Sequence, residues 1–508
     1  MLPDIEKVVQ MSWDPTSVTF IGYLIAMVLI GVIAWRYTRN FNDYILGGRR
    51  LGSLVTALSV GASDMSGWLL MGLPGAVFLS GICESWIAIG LALGTFFNWK
   101  IVACPLREYT EVAHNALTLP DYFTHRFEDT SRLLRIIPAI VILLFFAIYS
   151  ASGMVASARL FENVFDLPYT HALILGTIAT LAYVFLGGFL AVSWTDTIQA
   201  TLMCLALIIA PVAVMVDLGG FSAAIDQVKA IDPNHVNMLQ GQTVVGIVSL
   251  LAWGLGYFGQ PHILVRFMAA KSVRVMPKAF NISMIWLIFC LSGAVAAGFF
   301  GSAYFHAHPE FATAVNENHE RVFMVLSNTL FSPWIGGVLL SAILAAVMST
   351  LSCQLLVCSS VLTEDFYRAF IRPEAGQKEL IWIGRATVMA VSIVAIIIAS
   401  DPNNLVLSLV SYAWGGFGAA FGPIVILSLL WKGTTRNGAV VGIVVGALTV
   451  LIWHQGAWFG LYEIIPGFIL SFISIVVVSL LDKKGPSESM KATFDTVQKR
   501  LKDAQAQM

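Results

Sequence analysis

The sequence predicts an all-α membrane protein with thirteen transmembrane helices, and three observations carry that reading. First, of 508 residues 57% are hydrophobic and only 12% charged, where a soluble globular chain has about 25% charged. Second, the mean hydropathy is +0.80, with apolar runs near the ~20 residues that a helix needs to cross a bilayer. Third, the basic residues cluster between alternate runs, as they do at a cytoplasmic face. An apolar excess of this size has to face lipid. A net charge of −1 gives no electrostatic case for nucleic acid. The six cysteines (Cys83, Cys104, Cys204, Cys290, Cys353, Cys358) sit mostly in apolar runs without CxxC or zinc-like spacing. They read as small buried hydrophobes in a reducing compartment.

Residues 1–14 are polar and acidic, and predict no cleavable signal peptide. The first span, 17–36, ends on Arg36 and Arg39. The second, 55–79, is interrupted by polar residues, and the third, 83–104, leads into a basic loop at 105–134. The fourth and fifth are 135–160 and 170–188, and the sixth, 194–217, precedes a polar loop at 218–242. The seventh, 243–267, is rich in glycine and aromatics. The eighth, 278–304, is followed by a loop at 305–332, and the ninth, 333–362, carries neighbouring hydroxyls. The last four are 380–399, 404–431, 438–456 and 461–481. With the N-terminus outside and the C-terminus in the cytoplasm, all of the 29 Lys and Arg except Lys7, Arg159, Lys229 and Arg321 fall on the cytoplasmic side. One span more or fewer would scramble that partition. The tail, 483–508, reads as a solvated cytoplasmic helix or a disordered end.

Two spans do not look like ordinary lipid-facing helices. In the second, Ser63-Asp64-Met65-Ser66-Gly67-Trp68 interrupts the apolar run between Gly61 and Gly72-Leu73-Pro74-Gly75. An aspartate near midplane costs about 2.5–3.5 kcal/mol on insertion scales and usually faces a cavity or an ion path. A helix-packing aspartate bonded to nearby hydroxyls is the alternative. In the seventh, the run Trp253 to His262 packs three glycines, a proline and three aromatics into ten residues. It makes a poor continuous helix, and a break in hydrocarbon must line a cavity. Close helix packing through glycine is the alternative. His262 alone reads as a satisfied structural histidine.

The breaks lie five spans apart. Five is odd, so spans 2–6 and 7–11 have opposite orientations, and paired interruptions in inverted repeats point to a transporter's central site. The implied division is 1–54, 55–217, 218–431, 432–482 and 483–508. Unwound backbone offers carbonyl oxygens to a hard cation such as Na⁺. Half-helix N-termini favour a carboxylate, so a zwitterionic amino acid suits the site. Trp68, Trp253 and Tyr257 can wall in a compact apolar body. Ser349 and Thr350 read as back-bonded hydroxyls, or, beside a broken helix, as members of a cation shell.

At these residues the chain resembles the sodium:solute symporter family. The likeness rests on Tyr44-Ile45-Leu46-Gly47-Gly48-Arg49, on Gly61 to Trp68, on Gly187 to Gln199, on Gly254 to His262 and on Ser341 to Thr350. It spans about 17–482 and weakens in the 218–242 and 305–320 loops and in the tail. The resemblance implies a leucine-transporter-like core of two inverted five-helix repeats in a bacterial inner membrane, importing L-proline with Na⁺. It places Na⁺ on the carbonyls of Ala62, Met65 and Ala346 and the hydroxyls of Ser349 and Thr350, with Asp64 at or beside that shell. It places proline against Ser66, Gly67, Trp68, Tyr149, Trp253, Tyr257, Pro261 and Cys353, and Asp196 on the inner ion route. Glu84 and Arg49 match positions linked to transport in relatives.

Rival readings are the same fold importing another small zwitterion or a monocarboxylate, a non-transporting membrane sensor, and a channel. No kinase or receiver domain is attached, which argues against the sensor. No metal cluster or nucleophile–base set is visible, which argues against an enzyme. The partners implied are proline, sodium ion and the lipid bilayer, with no obligatory protein partner.

Overall fold

The computed structural model describes residues 14–35, 41–239 and 241–506. The acidic N-terminal stretch, with Lys7, and the basic pair Arg36 and Arg39 lie outside the described residues. Among those described, ten helices are long and apolar enough to cross a membrane. Two bent pairs pass as single spans, Ser53–Asp64 with Trp68–Ser80 (62°) and Val244–Gly259 with Pro261–Ala269 (45°). The protein is therefore an all-helical, multi-pass membrane protein. Its outward faces carry the side chains lipid requires, such as Ile25, Leu29, Leu205, Ile288 and Ile397, all more than half exposed.

Both breaks fall where the residue pattern puts them, and three other features differ from it. The expected loop between the fifth and sixth spans is absent. Helix runs from Tyr169 to Asp217 and turns only at Gly188, with φ 59° and ψ −170°. Only glycine adopts that backbone freely, and a Cβ there would press on the Tyr44 ring. The third span runs on through a π-helical turn at Trp99–Ala103 into Cys104–Val112. The tail forms a helix, Glu488–Ala506, that is neither disordered nor solvated all round. Met490, Phe494, Val497 and Leu501 are buried against the bundle, and Arg500 reaches Glu108 at 3.2 Å.

Several arginines that count towards the positive face are structural. Arg126 and Arg266 are no more than 2% exposed. Arg49 donates to Asn115 Oδ1 (2.8 Å), to the Met268 carbonyl (2.5 Å) and to the Ala116 carbonyl (2.8 Å). Arg107 Nε donates to the Ala270 carbonyl (2.6 Å). Both guanidinium groups thus meet the C-terminal end of helix Pro261–Ala269, where cations are favoured. Burial pushes the Arg49 guanidinium down to about 10. At Val406, the start of another span, the buried Glu320 accepts the N–H groups of Val406 and Leu407, both at 2.9 Å. Burial raises its carboxyl above the usual range while those bonds oppose the rise.

Candidate functional site

Helix Ser53–Asp64 ends because Met65 leaves helical geometry, at φ −75° and ψ 80°. The Met65 N–H still reaches Gly61 O (2.9 Å), but the Ser66 N–H turns back to Asp64 O (2.9 Å) and the Leu69 N–H to Ser66 O (3.0 Å). A wider π-helical turn restarts at Trp68. Gly67 is needed here, since a Cβ would meet Ala156. The last turn of the first half-helix keeps carbonyls with no i+4 amide in line, and other side chains use them.

One set of oxygens gathers at Ala62. Ser349 Oγ donates to the Ala62 carbonyl (2.8 Å) and to the Ala346 carbonyl (3.0 Å). Thr350 Oγ1 donates to the same Ala62 carbonyl (3.2 Å). Two carbonyls and two hydroxyls from two helices thus meet at a point no more than 1% exposed. Such a donor set is all hard oxygen, which suits a cation of the Na⁺ type and gives a soft metal nothing. Met65 sits at the turn itself.

A second set surrounds Asp64. Its carbonyl accepts from Trp68 Nε1 (3.1 Å) and Tyr149 Oη (3.4 Å). Its Oδ2 accepts from the Tyr257 hydroxyl, while Oδ1 has no partner among the described residues. The side chain is buried, 1% exposed, and turned towards Tyr257. Trp68, Tyr149 and Tyr257 are 1–2% exposed, so this aromatic cluster is closed to solvent. Ser66 lies in the same turn, its Oγ 3.5 Å from the Trp68 N–H.

The remaining candidates lie apart. The Trp253 ring faces Tyr462, with centroids 5.6 Å apart, and its carbonyl accepts from Trp414 Nε1 (2.7 Å). Tyr257 meets the edge of Trp414 at 5.0 Å. Pro261 and Cys353 line a narrow cleft with Ile142, Val265, Arg266 and Leu356. Cys353 Sγ is bonded by Arg266 and lies 3.9 Å from Asp196 Oδ2. Asp196 is fully buried. It accepts from Ser59 Oγ (2.6 Å) and pairs with Arg266 Nη2 (3.5 Å), and Arg266 also donates to the His262 carbonyl (2.8 Å). Glu84 ends a 3₁₀ turn, Ile82–Glu84, at the start of the third span, at the far end of that helix from its basic turn.

Residue patterns miss three members of this assembly. Arg266 counts as one more positive-inside residue, yet it is fully buried against Asp196. Trp414 and Tyr462 close the Trp253 side. The glycine-aromatic run Tyr412-Ala413-Trp414-Gly415-Gly416-Phe417-Gly418 is the signal that could have found Trp414. His262 is not the satisfied histidine expected. Its ring packs on Phe146 and Tyr149, and neither nitrogen has a partner among the described residues.

A broken-helix bundle with a buried oxygen cluster next to a buried aromatic cluster has the architecture of a cation-coupled secondary transporter. The chain belongs to the sodium:solute symporter family, whose model matches residues 44–446. It is 64% identical over 480 residues to a sodium/proline symporter of Escherichia coli, covering 94% of this chain and 95% of that one. It is 55% identical over 501 residues to one from Haemophilus influenzae, covering 97% and 99%. A high-affinity proline transporter of Bacillus subtilis is 50% identical over 473 residues, covering 93% and 99%. Among solved structures, a substrate-bound, outward-open Na⁺-coupled sialic acid symporter superposes with a TM-score of 0.78 over 92% of this chain and 98% of its own. At 19% identity that likeness concerns the fold.

Proposed function

We propose that this chain imports L-proline together with Na⁺ across the cell inner membrane by alternating access. The observation that carries the reading is the meeting of the Ala62 and Ala346 carbonyls with Ser349 and Thr350, at the helix break that also presents Asp64 to the buried aromatic cluster. Relatives at 47–64% identity over most of the chain are named as sodium/proline symporters or proline transporters.

Na⁺ engages Ala62, Met65, Ala346, Ser349 and Thr350, with Asp64 supplying charge beside it. Fixing that break orders Ser66, Gly67 and Trp68, which with Tyr149, Tyr257 and Trp253 hold the imino acid. The apolar ring of proline stacks on aromatic faces, and its carboxylate meets the N–H groups freed by the break. Pro261 and Cys353 line the path on, and Asp196 with Arg266 stands along the inner ion route. Because coupling is reciprocal, Na⁺ and proline raise each other's affinity.

The thirteen-span topology fits this account. The ten spans and two bent pairs are joined by the shorter apolar helix Tyr169–Ala182, with the N-terminus outside and the tail in the cytoplasm. The two bent pairs then occupy matching positions of inverted repeats 55–217 and 218–431. One Na⁺ crossing ~100 mV supplies about 2.3 kcal/mol, and a tenfold gradient adds about 1.4 kcal/mol. Coupled one to one, the total sustains roughly 500-fold accumulation.

Proteoliposome uptake of labelled proline tests the reading. An inward Na⁺ gradient should drive transient accumulation above equilibrium, and unlabelled proline should compete. Equal uptake with K⁺ in place of Na⁺ would overturn the coupling, and failure of proline to compete would overturn the substrate.

A further inference from the structure

A cavity of about 390 Å³ lies away from the central site, between the π-helical turn Trp99–Ala103, the start of helix Met276–Ala307 and the docked tail helix. Trp99, Lys100, Phe280 and Asn281 line it on the bundle side, and Leu501 and Gln505 on the tail side. The Lys100 ammonium sits over the Phe280 ring, 4.3 Å from its centroid, and 5.9 Å from that of Phe96. No carboxylate pairs with it among the described residues. Trp99 is 4% exposed, and its indole N–H has no acceptor among the described residues. The indole nitrogen is itself buried, so the unpaired ammonium is the group lining the cavity that calls for an anion.

The setting says which anion. Lys100 lies 18 residues along a continuous helical run from Ile82, so about 27 Å further on at 1.5 Å per residue, close to the ~30 Å of a hydrocarbon core. Above it Leu93, Phe96 and Phe97 are 38–50% exposed, and on the facing helix Ile285, Ile288 and Phe289 are 54–60% exposed. A polar, cationic mouth thus opens directly onto a lipid-facing apolar strip. A free phosphate would use only the mouth; a phospholipid uses both.

We propose that this cavity binds an acidic phospholipid. Its phosphate pairs with Lys100, its acyl chains follow Phe96, Phe97 and Ile285, and the tail helix caps its headgroup through Leu501 and Gln505. The lipid thereby bridges the tail helix to the bundle.

Native mass spectrometry of the delipidated full-length protein, titrated with phosphatidylglycerol or phosphatidylethanolamine, tests this. Wild type should hold one phosphatidylglycerol more tightly than phosphatidylethanolamine. Lys100→Gln should weaken that adduct about five-fold, near the ~1 kcal/mol of one basic residue at an anionic surface. Lys100→Arg should retain it. Thermal midpoints of each variant in detergent verify folding. Equal retention of both lipids by wild type, or unchanged phosphatidylglycerol binding in folded Lys100→Gln, would overturn the proposal. So would displacement of the adduct by millimolar inorganic phosphate.

Discussion

The two helix breaks look alike in sequence and differ in what they do. At the first, between Gly61 and Trp68, the backbone opens and its oxygens are taken up by other elements: Ser349 and Thr350 on the Ala62 carbonyl, Trp68 and Tyr149 on the Asp64 carbonyl. At the second, between Trp253 and His262, the chain tightens into a 3₁₀ helix, Ala252–Gly259, and its glycines serve contact. A Cβ on Gly254 would strike the backbone of Gly90, on Gly256 the Trp414 indole, and on Gly259 the Phe417 carbonyl. Its bend is braced by Gln260, whose Nε2 donates to the Gly256 and Trp414 carbonyls at 3.2 Å each. The polar load appears beyond the bend, at Arg266. One break thus opens backbone oxygens to other side chains while the other packs its glycines tightly, and the same residue types (glycine, aromatic, one polar group) encode both.

That contrast yields graded expectations. The largest effect belongs to the charge beyond the second break. Arg266→Met strips the counter-ion from buried Asp196 and should cost about 3–5 kcal/mol of stability, read as a fall in thermal midpoint. Adding Asp196→Asn should restore most of it, and a double variant no better than the single would separate the two residues. At the first break, Asp64→Ala should lower Na⁺-driven uptake by roughly 100-fold, about 2.7 kcal/mol, with the fold kept. Tyr257→Phe removes one donor to that carboxylate, and should cost about thirtyfold in uptake, near 2 kcal/mol and within the ~1.5–3 kcal/mol of a charged hydrogen bond. At the second break, Gly254→Ala should act oppositely. Overpacking against Gly90 should cost about 1–3 kcal/mol and lower the amount of folded protein, while the survivors keep the wild-type Na⁺ requirement. A changed Na⁺ requirement there would erase the distinction. Smallest is Gln260→Leu, which loses two neutral bonds and should cost about 1–2 kcal/mol in thermal midpoint.

The architecture was largely legible because lipid imposes it: apolar run length and basic clustering locate nearly every span. The hinge at Gly188 was not legible as a hinge, since one glycine with positive φ replaces a loop without any polar residue to announce it. The tail is the helix that its sequence offers as one of two readings, but its docking was missed because its polar composition hides an apolar stripe, Met490, Phe494, Val497 and Leu501, at helical spacing. At the site, Asp64, Ser349 and Thr350 stood out because a polar group in an apolar span demands a reason. Arg266 did not, since an arginine at a span's end satisfies the topology rule whether it faces water or a buried carboxylate. Trp414 and Tyr462 were hidden for another reason: nothing in a linear pattern says which aromatic meets Trp253.

The most direct test of a Na⁺ held at the first break is the Na⁺ concentration that half-saturates proline binding, measured in wild type and in Ser349→Ala and Thr350→Val. Each variant should need about tenfold more Na⁺ or greater, a loss of about 1.4 kcal/mol per hydroxyl, while proline affinity at saturating Na⁺ returns towards that of wild type. A Na⁺ dependence unchanged in both variants, with folded protein present, would contradict a cation held between those hydroxyls and the Ala62 carbonyl.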